Sequence, residues 1–188
     1  MRDLSMHLLD IIQNSISAQA KRINVDIKAD VEADFLFIDV EDDGTGMDEE
    51  LIQKVTDPFV TSRSTRKVGL GIPLLKYTAQ RCEGELQIYS QKGKGTLVKS
   101  SFKLSHIDRP PIGDIADTIV TIIAANPQVD IVLNLKNNSN EITLDTAEVK
   151  QKLGEVPITE FNVLSWIKDF INEGVINIFG GVLNEVTS

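Results

Sequence analysis

The first helical stretch of the sequence carries a narrow row of polar side chains at steps of three or four residues. The row consists of Asp3, His7, Asp10, Asn14, Ser17 and Lys21. Such steps place side chains on one face of a helix, and apolar residues border this row on both sides. Asn14 offers an amide oxygen and Asp10 a carboxylate one turn away, which are the hard oxygen ligands that Mg²⁺ takes. The row therefore indicates a helix facing a polar cavity, with a solvated face as the alternative.

An acidic glycine loop, Asp43-Gly44-Thr45-Gly46-Met47, follows a predicted strand. A carboxylate such as that of Asp43 accepts a hydrogen bond from an exocyclic amine, for example that of adenine. Glycines have no side chain, so Gly44 and Gly46 would let a ligand approach the backbone. Taken alone, the loop is equally compatible with an ordinary turn.

A second glycine pair, Gly69-Leu70-Gly71, stands directly before a predicted helix. Free N–H groups and the positive end of the helix dipole favour phosphate at such a position. Arg63, Arg66 and Lys67 lie just upstream and could neutralise a polyphosphate. A solvated basic loop is the alternative for this stretch.

The charge of the chain is unevenly distributed along its 188 residues. The total of −9 and the isoelectric point near 4.7 argue against nonspecific binding to nucleic acid or to an anionic membrane. Residues 1–59 carry −9, residues 60–104 carry +7 and residues 105–188 carry −7. The central basic block contains the second glycine pair, and this favours a localised anion such as phosphate.

The elements that must position these residues alternate between helix and strand. The spacing predicts helices over the first 20 residues, 48–54 and 72–82, and strands over 23–28, 35–41, 85–90 and 96–104. Beyond residue 108 it predicts helices over 112–125, 146–153 and 160–173, a hairpin of 129–135 and 141–145, and a final strand over 175–179. Thr159 is the expected N-cap of the last helix and Gly174 its expected stop.

The dipeptide Pro110-Pro111 predicts a boundary between a domain of residues 1–107 and a small α+β domain of residues 108–188. Cys82 is the single cysteine, which is typical of a reducing compartment. No signal peptide and no apolar run near the ~20 residues of a membrane span is present in the sequence. We therefore expect a cytoplasmic protein.

The order of the motifs is more specific than any one of them. A helical Asn, the acidic glycine loop, Asp57-Pro58-Phe59, Gly69-Leu70-Gly71 and Gly95-Thr96 occur within about 90 residues. Over roughly residues 1–104, the sequence resembles the ATP-binding domain shared by histidine kinases, anti-sigma-factor kinases and the chaperone, mismatch-repair and type II topoisomerase ATPases (the GHKL superfamily). The resemblance implies an α+β, two-layer Bergerat fold, a mixed sheet with helices on one face, followed by the small C-terminal domain.

The resemblance also implies a site for ATP and Mg²⁺. Residues 8–15 resemble the motif in which an Asn, here Asn14, binds Mg²⁺. Asp43 matches the acid that recognises the adenine amine, and Thr96 matches the Thr that helps to hold a water at that acid. The other implied nucleotide contacts are Gly44 and Gly46 beside adenine, Met47 as its apolar wall, Phe59, Thr61 and Arg63 leading into the lid, Arg66 and Lys67 in the lid, and Gly69, Leu70 and Gly71 around the phosphates.

Three functions fit these motifs at this stage. Asp10 stands where related ATPases and serine kinases carry a Glu as general base, so the resemblance implies a protein-kinase-like phosphotransferase with Asp10 as catalytic residue. The alternatives are an ATPase with a conformational cycle and a nucleotide-gated binding module with little catalysis. Residues 108–188 are the expected docking segment for a protein partner or substrate, and an oligomer is compatible with the sequence. For His7, packing in the cavity or a water-mediated role is favoured over a role as phosphoacceptor.

Overall fold

The computed structural model describes residues 3–56 and 71–183, and in this part of the chain six strands form one mixed sheet. The strands are β1 (Arg22–Asp30), β2 (Phe35–Asp42), β3 (Leu86–Gln91), β4 (Gly95–Lys103), β5 (Asp130–Lys136) and β6 (Glu141–Asp145). The helices are α1 (Leu4–Ser17), α2 (Glu49–Thr56), α3 (Gly71–Arg81), α4 (Ile115–Ala125), α5 (Thr146–Leu153) and α6 (Phe161–Phe179). The strand order is β3-β4-β2-β1-β5-β6, with β1 and β5 parallel and all other neighbours antiparallel.

The alternation of side chains along the central strands explains why helices cover one face of this sheet. β1 buries every second residue from Ile23 to Ala29, and β2 does so from Leu36 to Asp42. Successive side chains of a strand point to opposite faces, so the apolar sets of both strands lie on the same face. The buried apolar residues of α1, α4 and α6 belong to the same core as these strands. This arrangement confirms the predicted α+β fold with a mixed sheet.

Residues beyond the predicted boundary near residue 107 contribute to the same sheet. β5 pairs in parallel with β1, with Val25 opposite Leu133. The buried backbone N–H of Ile131 donates to the hydroxyl of Thr146, at 2.7 Å, and so ties the start of α5 to β5. The boundary therefore separates β4 from α4 along the chain, but it does not separate two sheets.

The last helix differs from the sequence prediction at both ends. α6 continues through Gly174 to Phe179, so the predicted stop and the strand over residues 175–179 are wrong. Gly174 is buried, and a Cβ there would stand 3.2 Å from a methyl group of Leu135, so the glycine lets the helix approach β5 closely. The N-cap is Glu160 rather than Thr159, and Glu160 makes no side-chain capping bond.

The segment that leads into α4 is bonded to the first turn of α1. The backbone N–H groups of Leu4 and Ser5 donate to the carbonyls of Pro111 and Ile112, both at 2.9 Å. Asp3 caps the same helix by accepting from the N–H of Met6 at 3.0 Å. Orphan donors at a helix N-terminus are thereby satisfied by a distant part of the chain. Over the described ranges, no helix combines the length and hydropathy that crossing a membrane requires.

Candidate functional site

A cavity of about 260 Å³ lies between α1, α2, α3 and the sheet, at the end of β2. Its polar lining comes from Asn14, Ser15, Ser17, Asp42, Thr45 and Thr96. Its apolar lining comes from Ile11, Met47, Leu51, Val55, Ile72 and Val98, with Ala18 and the backbone of Gly46 completing it. A largely apolar cavity with a few convergent polar groups is typical of a small-molecule site.

The acid in this cavity is Asp42, the last residue of β2. Its side chain is on the helix-facing side of the sheet and the residue is only 9% exposed. One carboxylate oxygen accepts from the hydroxyl of Ser15 at 2.6 Å, and the other accepts from the N–H of Gly44 at 2.9 Å. A carboxylate has about four acceptor positions, so Asp42 can accept further hydrogen bonds from a ligand.

The sequence predicted that Asp43 would be the acid facing the ligand, but the structure places its side chain outside the cavity. Its exposed carboxylate accepts from the backbone N–H groups of Lys21 and Arg22, at 2.7 and 3.0 Å, and does not line the cavity. These bonds, led by the one from Arg22, lower the pKa of the Asp43 carboxyl from its ordinary value. Asp43 follows Asp42 on a strand end, so its side chain points away from the cavity. Asp43 thus fixes the junction of β1 with the loop instead of facing a ligand.

Ser90 holds the loop after β2 in place and orients Thr96. The N–H of Met47 donates to the Ser90 hydroxyl at 2.7 Å, and that hydroxyl donates to the carbonyl of Gly95 at 2.9 Å. Ser90 has a single hydroxyl proton, so the hydroxyl of Thr96, 2.9 Å away, must donate to Ser90. The oxygen lone pairs of Thr96 consequently remain available as acceptors at the edge of the cavity.

The glycines of the loop serve backbone packing. Gly46 has a φ of +64°, a conformation that L side chains rarely adopt. A Cβ at Gly46 would also clash with the carbonyl oxygen of Gln91, the last residue of β3. A glycine is therefore needed here for the close contact between this loop and the end of β3, in addition to the ligand access that the sequence predicted.

Asn14 and Asp10 lie one turn apart on α1 but in different surroundings. Asn14 lines the cavity, whereas Asp10 does not. Asp10 packs against the first residue of α3, where a Cβ on Gly71 would stand 2.9 Å from a carboxylate oxygen of Asp10. Burial raises the pKa of the Asp10 carboxyl above its ordinary value, which suits a proton acceptor better than an unperturbed aspartate.

His7, one turn before Asp10, is buried between α1 and α3. Its Nε2 lies 3.3 Å from the hydroxyl of Thr78, which donates its own proton to the carbonyl of Leu74 at 2.9 Å. The ring must therefore carry its proton on Nε2, and Nδ1 is buried without a hydrogen-bond partner in the described chain. Burial lowers the pKa of His7 to about 4. This environment agrees with the packing role expected from the sequence.

The predicted site residues divide into four groups. Asn14, Gly46, Met47 and Thr96 line the cavity, and Gly44 donates its N–H to Asp42. Asp10 and Gly71 contact each other beside the cavity, while Asp43 is turned away from it. The other predicted residues, namely Phe59, Thr61, Arg63, Arg66, Lys67, Gly69 and Leu70, lie outside the described residues.

Sequence reasoning missed Asp42, its hydrogen-bond partner Ser15, and Ser90, which bonds to Met47 and Thr96. The alternation of β2 contained the signal for Asp42, because Leu36, Ile38 and Val40 are followed at the same period by residue 42. Counting the Asp-x-Gly-x-Gly spacing back from Gly46 also begins at Asp42. Ser90 had no such signal, since its role depends on a contact between β3 and the loop after β2.

The chain is similar in sequence and in fold to known proteins. The sequence model of the histidine kinase-, DNA gyrase B- and HSP90-like ATPase family matches residues 2–106. Sporulation kinase C of Bacillus subtilis is 33% identical over 94 residues, covering 50% of this chain and 22% of its own length. Sporulation kinase E of the same organism is 31% identical over 96 residues, covering 50% of this chain and 13% of its own length.

The chain thus spans less than a quarter of the length of these curated relatives. Among solved structures, the N-terminal domain of a DNA repair protein superposes with a TM-score of 0.54 at 16% identity. This superposition covers 77% of this chain and 53% of the other. At such low identity the similarity establishes the fold alone.

Proposed function

Because this chain belongs to the histidine kinase-, DNA gyrase B- and HSP90-like ATPase family, we propose that it binds ATP with Mg²⁺ in the cavity beside β2 and transfers the γ-phosphate to a protein. The observation that carries this proposal is the buried Asp42 carboxylate, which faces an apolar cavity bordered by Asn14 and Thr96. A family match by itself would not show that a hydrogen-bond acceptor for adenine, an apolar surface for its ring and a candidate Mg²⁺ ligand lie in the same cavity. Their convergence in one cavity supports nucleotide binding.

At the adenine end, Asp42 would accept a hydrogen bond from the exocyclic amine. The hydroxyl of Ser15 and the N–H of Gly44 already fix the carboxylate, so it loses little freedom when it binds a ligand. Met47 and Leu51 offer apolar contact for the faces of a planar base. Acceptor lone pairs on Thr96 could hold a water beside the same carboxylate.

At the phosphate end, Asn14 would supply a protein oxygen to Mg²⁺. No group of three or more His, Cys, Asp or Glu side chains placed to hold a metal occurs in the described residues. Mg²⁺ keeps several waters and is commonly held by one or two protein oxygens together with substrate phosphates, so this sparse donor set fits. ATP would supply the transferable phosphoryl group, and Asp10, one turn from Asn14, would accept a proton from the attacking nucleophile.

One observation favours transfer to a protein over simple hydrolysis: the two sporulation kinases compared above are kinases by name. A general base at Asp10 would serve either reaction, so its raised pKa does not decide between them. We therefore place phosphotransfer first and hydrolysis second.

A nucleotide-gated binding module is supported by a separate observation. The segment before α4 is hydrogen-bonded to the first turn of α1, through Pro111 and Ile112, and β5 pairs with β1. A shift of α1 on nucleotide binding would therefore bear directly on the segment that precedes α4. In that case ATP would change the affinity for a partner with little turnover.

Calorimetric titration of the full chain with ATP and MgCl₂, followed by phosphate release on the same sample, tests the proposal. We expect saturable binding that GTP does not reproduce, since Asp42 would meet an acceptor oxygen in guanine where adenine has an amine. Release of labelled phosphate to water identifies an ATPase, label on an added acceptor protein identifies a kinase, and binding without either identifies a gated module. Absence of ATP binding would refute all three.

A further inference from the structure

A second cavity, of about 560 Å³, opens between α5, α6 and β6. β6 is an edge strand, and β1 and β5 separate it from β2 and the site described above. Val149 and Leu153 line this groove from α5, Val163 and Phe170 line it from α6, and Leu144 lines it from β6. The groove is thus a mainly apolar surface at the opposite end of the sheet from β3.

Trp166 lies at this groove and remains 52% exposed. Its ring stacks on that of Phe170, with centroids 5.6 Å apart and planes inclined by 27°. This stacking restricts the indole, so little side-chain entropy would be lost on binding. Fixed aromatic side chains beside an apolar pocket are typical anchors of protein interfaces.

The groove is elongated along α6. Asn162, Trp166 and Phe170 line it at steps of four residues, which corresponds to about 12 Å of helix at ~1.5 Å per residue. Glu148 and Lys152 line it from α5 at the same step. A channel between two helices that extends over two turns fits a third helix with apolar residues at i, i+3 or i+4, and i+7.

The charge around the groove favours a cationic occupant. Glu148 lines it, and Glu173 lies one turn beyond Phe170 on α6; neither has an ion pair among the described side chains. Asp145 also lines the groove and is paired with Arg22 at 2.8 Å, while Lys152 is the single cation in the lining. Residues 105–188 as a whole carry a net charge of −7. Charge complementarity would steer a basic partner to this end of the molecule.

We propose that the groove between α5 and α6 binds an amphipathic helix of a partner protein, with Lys or Arg flanking its apolar face. Trp166 and Phe170 are the anchor on this chain, and Glu148 and Glu173 receive the cations. Docking in this groove requires no nucleotide, so the proposal can be tested independently of the proposed ATP site.

Fluorescence anisotropy with labelled model peptides tests this docking on the full chain. The first probe is a four-turn peptide with Leu at the i, i+3, i+4 and i+7 positions and Lys on both flanks. Its matched controls are the same peptide with Glu in place of Lys and a scrambled Lys peptide of identical composition. We expect the first probe to bind at least about tenfold more tightly than either control.

Matched protein variants locate the binding surface. Trp166→Ala should weaken the first probe at least about tenfold, since Trp166 is the proposed anchor. Phe161→Ala removes an aromatic ring from the same helix, 81% exposed and outside the groove lining, and should leave binding unchanged. Glu148→Lys should weaken the Lys peptide more than Glu160→Lys, which lies outside the lining. Circular dichroism confirms that each variant is folded.

Specific outcomes would overturn the proposal. Equal binding of the Lys and Glu peptides would reject the charge argument, and unchanged binding to Trp166→Ala would reject the location. An apolar dye bound at Trp166 that the Lys peptide does not displace would indicate a small-molecule site instead. A dimer that Trp166→Ala abolishes, together with no peptide binding, would indicate that a second copy of this chain covers the groove.

Discussion

The hydroxyl of Ser15 on α1 donates a 2.6 Å hydrogen bond to the carboxylate of Asp42 at the end of β2. This buried bond joins the helix that carries Asn14 to the strand end that carries the cavity's acid. The same carboxylate accepts from Gly44, so one acid fixes the helix, the strand end and the glycine loop relative to one another. This contact therefore links the two ends of the proposed nucleotide site.

Asp42→Asn and Asp43→Asn form a matched pair, because they remove the same charge from adjacent residues. Of the two, only Asp42 lines the cavity. Asp42→Asn should therefore weaken ATP binding by about 10- to 100-fold, because the loss of a hydrogen bond to a charged group costs about 1.5–3 kcal/mol. Asp43→Asn should leave the affinity within about threefold. Isothermal titration calorimetry measures both, and the reverse order would return the recognition role to Asp43.

Asp10→Asn tests the proton acceptor. The substitution preserves the shape of the side chain but removes its basicity, so phosphate transfer or release should fall by a factor of about 10²–10⁴ while ATP affinity stays within about tenfold. Glu32→Gln, at an exposed position between β1 and β2, is the control for loss of one acid. Turnover that survives in Asp10→Asn would exclude Asp10 as the base.

The raised pKa of Asp10 also predicts a pH dependence. A general base acts in its deprotonated form, so activity should fall as the pH drops through the pKa of Asp10. Because burial raises that pKa, the fall should occur at a higher pH than for an ordinary aspartate. Initial rates measured over a series of acidic pH values test this prediction. A rate that stays constant down to the pH at which an ordinary aspartate titrates would contradict it.

Gly46→Ala and Gly93→Ala separate backbone strain from steric clash. Both glycines have positive φ, +64° and +81°, so an Ala at either position costs about 1–2 kcal/mol of conformational energy. A Cβ at Gly46 would in addition meet the Gln91 carbonyl, whereas a Cβ at Gly93 would meet nothing within 4 Å. Chemical denaturation should show a larger loss of unfolding free energy for Gly46→Ala, and equal losses would argue against the loop contact.

His7 makes the free energy of unfolding depend on pH. Its pKa is lowered to about 4 by burial, whereas the unfolded chain has the ordinary histidine value of about 6.5. Between these values the unfolded chain binds the proton and the folded protein does not, so stability falls as the pH decreases from about 6.5 to about 4. The slope contributed by His7 approaches ~1.4 kcal/mol per pH unit.

A His7→Leu variant provides the measurement for this dependence, since leucine cannot titrate. Urea unfolding of the original chain and the variant at several pH values should give a difference in unfolding free energy that varies between about pH 6.5 and 4 and is constant above that window. A constant difference throughout would show that His7 titrates normally in the folded protein.

Much of the fold was predictable because its signals are local. Helical spacing identified α1, and the pattern of β-forming residues identified β1 and β2 as strands, since a period of 2 or 3.6 residues is visible directly in the sequence. The end of α6 was mispredicted because Gly174 was interpreted as a helix stop, whereas in the structure it is a packing residue inside the helix. Its small size lets the helix pack closely on Leu135, and that contact lies far away in sequence.

The sequence by itself determined which chemistry the chain contains: a helical Asn, an acidic glycine loop and a family of ATPases in which these motifs recur in this order. The alternation of β2 also contained the signal that Asp42 lies on the buried face, but only the tertiary structure decided that this face borders the cavity, because the contact of Asp42 with Ser15 joins β2 to a helix that comes earlier in the chain. The tertiary structure also decided that residues beyond 107 join the same sheet, since the parallel pairing of β1 with β5 links segments about 100 residues apart, and no local pattern encodes such a partner.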